Sequence, residues 1–168
     1  LGIMTPAYPI LAILLLWLAA YTDLTRRVIR NWISLALVLL FVLYASFSVH
    51  SIDIVGHVIW AGMLFIVLAT GFSFGKVGGG DVKLATAVML WVGPVSGFDF
   101  LVITGICGGI LALAIVIPIF RMIWEWAFSP FQKYTSVSVE SADLSVPYGV
   151  AIAMGGTVAL FGSFISGN

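Results

Sequence analysis

Long apolar runs, separated by short polar clusters, fill this chain from end to end. A run of about 17–25 apolar residues is long enough to cross a bilayer as a helix. The first run ends near Ala20, the second covers about 32–49 and the third about 54–72. A fourth, over about 82–95, is shorter than a full crossing, which predicts a tilted or partly interfacial helix. The fifth covers about 100–120 and the sixth about 146–165. The pattern predicts an all-α polytopic membrane protein of about six transmembrane helices. They would form a single integral-membrane domain over residues 1–168, with no soluble domain attached.

The flanking charges orient these helices. A signal peptide carries positive charge before its apolar stretch. Here no Lys or Arg precedes Arg26, so the first run is read as a retained helix. Arg26, Arg27 and Arg30 fall between the first and second runs, Lys76 and Lys83 flank the turn between the third and fourth, and Arg121 and Lys133 follow the fifth. All lie on one side, which the positive-inside rule makes cytoplasmic. The other side holds Asp53, Asp99 and His50. Both termini are then expected outside.

Composition agrees with the bilayer as solvent. The chain is 62% hydrophobic and 8% charged, whereas a soluble domain is about 25% charged. With a net charge of +0 and no basic stripe, nucleic acid is not an expected partner. The one cysteine, Cys107, excludes a disulfide framework and a cysteine-based zinc site; no metal or cofactor is expected. The polar connection 121–145 opens with Trp124, Trp126, Phe128, Phe131 and Tyr134, a composition suited to the headgroup layer. A substrate-guiding interfacial segment is the functional alternative to an aromatic anchor there.

The acids separate by location. Asp53 and Asp99 are read into outer loops, and Glu125, Glu140 and Asp143 into the inner connection. Asp23, in "LAAYTDLTRRVIRN", ends the first helix, and Asp81, in "SFGKVGGGDVKLATAV", begins the fourth. The charge count puts both at the inner edge of the hydrocarbon, where ionisable groups are costly and face a protein interior or a water-filled cavity. Each has a plain structural reading: Asp81 as a helix cap, Asp23 as a partner of Arg26 or Arg27. A cap, however, needs no Gly78, Gly79 and Gly80 before it. Glycines allow positive φ and close backbone approach, as a site for an extended peptide requires. Two carboxyls brought together share a proton; one can then deprotonate water while the other hydrogen-bonds a scissile carbonyl.

"GGGDVKL" fits the GxGD pattern of intramembrane aspartyl proteases and resembles the type IV prepilin peptidase family. Asp23 and Asn31 keep the spacing of that family's first motif, with Arg30 where the family has proline. "VPYGVAIAMGG" resembles its Pro-Tyr-Gly segment. The resemblance implies Asp23 and Asp81 as the catalytic pair. It implies supporting, substrate-binding positions at Gly78, Gly79, Gly80, Asn31, Lys83, Pro147 and Gly149. Gly78 and Gly80 would shape the loop; Pro147 and Gly149 would let the sixth helix pack close. Lys83, two residues beyond Asp81, faces elsewhere on the helix. Without a cytoplasmic insert or paired CxxC motifs, the chain resembles the small peptidase-only members that process Flp-type prepilins of tight-adherence systems. The substrates implied have a basic leader, a glycine before the cut and then an apolar helix, and the enzyme would sit in the bacterial inner membrane. The archaeal preflagellin peptidases are a related possibility.

Two other classes stand beside this one. A small transporter or proton conduit would also use membrane carboxylates, nearer the midplane and in two related halves. A structural subunit would use the glycines for helix packing alone.

Overall fold

The computed structural model describes residues 7–48, 52–116 and 146–165. These form helices only: α1 (Ala7–Arg26), α2 (Asn31–Phe47), α3 (Ile54–Ser73), α4 (Gly79–Val116) and α5 (Tyr148–Ile165). The polar connection 121–145, with its aromatic residues and its acids, lies outside the described residues, as do His50 and the ends of the chain.

Among the described residues three helices, α1, α3 and α4, are long and apolar enough to cross a membrane. Twenty residues of α-helix reach about 30 Å, the thickness of the hydrocarbon layer. Packing sets each helix's inner face. On α1 the buried residues are Ala12, Leu16, Ala19, Ala20 and Asp23. Their spacing follows the helical repeat, so Asp23 continues an apolar stripe to the helix end. On α2 the stripe is Ile33, Ser34, Leu37 and Phe41. Helix α5 packs on both α4 and α1, while α3 packs on α4 and buries only Ala61. Small residues line the seams: Gly156, for example, leaves room for Leu16 and Val88.

Helix α4 is broken at Gly93, where φ is +59° and ψ −159°. A side chain there would be strained and would run into the His57 ring. Pro94 has no N–H, so the Leu90 carbonyl loses its helical donor. His57 Nδ1 sits 2.7 Å from that carbonyl. A carbonyl only accepts, so Nδ1 carries the hydrogen. Beyond the break the chain turns back: Gly97 lies against Met89, a pair about 12 Å apart on a straight helix. α4 therefore has two arms, 79–92 and 94–116. The expected outer loop around Asp99 is absent; Asp99 is helical, in the second arm. The turn is made by one residue, because a Gly-Pro step breaks a helix without needing a polar loop.

Helices α2 and α3 meet the first arm of α4 in an aromatic cluster. Phe41 stacks on His57 and meets Trp91 edge-on, and Tyr44 stacks on Trp91. The Trp91 indole N–H donates to the Leu37 carbonyl at 2.8 Å. This ties α2 to the first arm of α4, which begins at Asp81's end of the bundle.

Candidate active site

Asp23 lies in the last turn of α1 and is buried, 8% exposed. Its backbone carbonyl accepts from Arg27 N–H at 2.9 Å. Arg27 closes the helix at φ +52°, the left-handed conformation that glycine usually supplies at helix ends. The Arg27 charge lies within electrostatic range of the Asp23 carboxylate. The side chain itself is held from the far end of the chain. Gly149 N–H donates to Asp23 Oδ2 at 2.8 Å. That amide belongs to the first turn of α5, where helical N–H groups have no partner within the helix. Gly149 fits because it has no side chain: a Cβ there would stand 2.8–3.0 Å from the Asp23 carboxyl. Pro147, fully buried, precedes the helix, and its carbonyl accepts from Val150 N–H at 3.2 Å.

Asp81 is the third residue of α4, so it is not the residue preceding the helix that the simplest capping reading expects. Its carboxylate instead reaches back over the first turn to lie against Gly78. The Asp81, Ala85 and Val88 positions follow the helical repeat along one face. Val88 meets Gly156 of α5 beside Leu16 of α1, so this face turns toward the seam that holds Asp23. The two carboxyls act on one another electrostatically. Two acids distant in sequence thus lie at one end of the bundle, Asp23 held by the Gly149 amide and Asp81 packed against Gly78.

The three glycines before Asp81 have separate reasons. None takes positive φ; in this turn that conformation falls on Gly75, at +67°. What they supply is space. A Cβ would stand 2.7 Å from Asp81 Oδ2 at Gly78, 3.2 Å from the Phe72 ring at Gly79 and 3.0 Å from Ile29 at Gly80.

Asn31 and Lys83 also come together. Lys83 Nζ donates to Asn31 Oδ1 at 3.0 Å. The bond joins the start of α2 to the first arm of α4, away from the carboxyls, and sequence spacing alone does not reveal it. The bond to Gly149 was equally hidden, although the absent side chain there marked a close approach. A cavity of about 370 Å³ lies at the other end of the molecule, between the second arm of α4 and α5. Its lining holds one carboxylate, Asp99.

A carboxyl pair of this kind can run general acid–base chemistry on a water molecule and a carbonyl. Among known families, the profile of the type IV leader peptidase family matches residues 10–113. Comparisons with curated proteins and with solved structures gave no match.

Proposed function

The chain belongs to the type IV leader peptidase family, and on that premise we propose that it is an intramembrane aspartyl endopeptidase removing the basic leader of Flp-type prepilins. Asp23 and Asp81 are its catalytic pair. The observation that carries this reading is their convergence: two buried or half-buried carboxyls, far apart in sequence, within electrostatic reach at one end of the bundle.

In the proposed reaction one carboxylate takes a proton from water, and the oxygen attacks the scissile carbonyl carbon. The other carboxyl, protonated, donates to the carbonyl oxygen. The tetrahedral species then collapses with loss of the C–N bond, the amine leaves with a proton, and the pair returns to sharing one. Cleavage follows a glycine at the cytoplasmic face of the inner membrane. Six passes, counting the two arms of α4 separately, put both termini outside. The Lys/Arg distribution supports that sidedness. The activity is cleavage alone: a single cysteine cannot form the paired CxxC motifs that accompany methylation in longer members.

Co-expression with an Flp-type prepilin tests the reading. Asp23→Asn and Asp81→Asn should each abolish cleavage, seen as loss of the faster-migrating mature pilin, while both variants still insert. Normal processing by either variant rules the reading out.

A further inference from the structure

The turn that follows Asp23 runs from Arg27 to Arg30, between α1 and α2. Arg27 holds φ +52°, and Arg30, the residue preceding α2, makes no side-chain capping bond. Helix α4 grips this turn at two points. Gly80 lies under Ile29, so close that a Cβ would stand 3.0 Å from the Ile29 side chain. Lys83 Nζ donates to Asn31 Oδ1 at 3.0 Å. Gly80 and Lys83 are three residues apart and share one face of the helix. Asp81 lies about 100° further round. One short stretch of α4 therefore clasps the turn with one face and presents its acid with the next. Asp23 is tied to the same turn, since its carbonyl accepts from Arg27 N–H at 2.9 Å. Any slip of the turn along α4 changes the gap between the two carboxyls.

We infer that Lys83 and Asn31 are positioning residues: their hydrogen bond pins the α1–α2 turn to the start of α4 and so sets the separation at which Asp23 and Asp81 work. The inference rests on the peptidase reading above. It assigns Lys83 a task inside the chain in place of a substrate contact. A basic leader is repelled by a lysine, so such a contact has no electrostatic gain.

The test uses the purified protein in lipid nanodiscs, with a prepilin bearing a basic leader as substrate. Misplacing a catalytic group by about 1 Å costs up to about 100-fold in rate. Lys83→Met and Asn31→Leu should each lower kcat by about 10- to 100-fold and leave KM within about twofold. The double variant should be no slower than either single one, because both remove the same bond. Lys83→Arg and Asn31→Asp keep donor and acceptor and should retain most of kcat, which also keeps the test open if a truncated side chain costs the fold. Three results overturn the inference: an unchanged kcat in Lys83→Met, a raised KM with kcat unchanged, or losses that multiply in the double variant. Asn31→Asp falling as far as Asn31→Leu overturns it too. If the unaltered protein cuts no prepilin, the peptidase reading fails and takes the inference with it; if it cuts and Lys83→Met cuts equally well, only the inference fails.

Discussion

Gly149 lacks a side chain, and the Asp23 carboxyl occupies the space one would take. Gly149→Ala must therefore push either the acid or α5 aside, and with it the 2.8 Å amide bond. On the proposed chemistry kcat for prepilin cleavage should fall by about 100-fold, since a small displacement of a catalytic group is enough. Full kcat in the Gly149→Ala variant would show that the amide does not hold the acid for catalysis. Both acids were legible in the sequence because charge is expensive in an apolar run, and the glycines were legible as places of close approach. Their partners were not. Backbone amides carry no side-chain signal, and the donor to Asp23 lies 126 residues further on. Positive φ, a plausible reason for the glycine triplet, turned out to belong to Gly75 and Gly93 instead.

At the scale of the helix, α4 is where pattern and structure part. Hydropathy places a gap at Asp99, whereas the backbone breaks at Gly93, six residues earlier. The physical cause is the Gly-Pro step in "WVGPVSG", which removes a donor and admits a φ that other residues resist. His57 then satisfies the stranded Leu90 carbonyl. His57→Phe keeps a ring against Phe41 but loses the N–H. It should destabilise the protein by about 1 kcal/mol, the usual net value of such a bond. Thermal unfolding in detergent, followed by far-UV circular dichroism, measures this. Cleavage at a permissive temperature should be little changed, because His57 belongs to the Gly93 end of α4 and the acids to the other. A midpoint equal to that of the unaltered protein would remove His57 from the account of the break.

The whole molecule is built inside out by the standards of water. Leu14, Val55 and Phe98 are 60%, 69% and 68% exposed, while Ala12, Ala19 and Ala153 are fully buried. In lipid, apolar side chains gain nothing by leaving the surface, so small residues gather where helices touch. Helix lengths and the apolar class were legible for that reason. Which helix meets which was not, since apolar faces look alike. The proposed sidedness is open to measurement. With Cys107 replaced by Ser, a membrane-impermeant thiol reagent should label Asp53→Cys in intact cells and Arg30→Cys only after permeabilisation. The reverse pattern would invert the topology. The bond from α5 to Asp23 has one more outcome, in time rather than space. A ribosome delivers both acids to the membrane well before it delivers the amide that holds the first of them. On the proposed chemistry a chain halted before α5 would be unarmed, and the capacity to cut would arrive only with that helix.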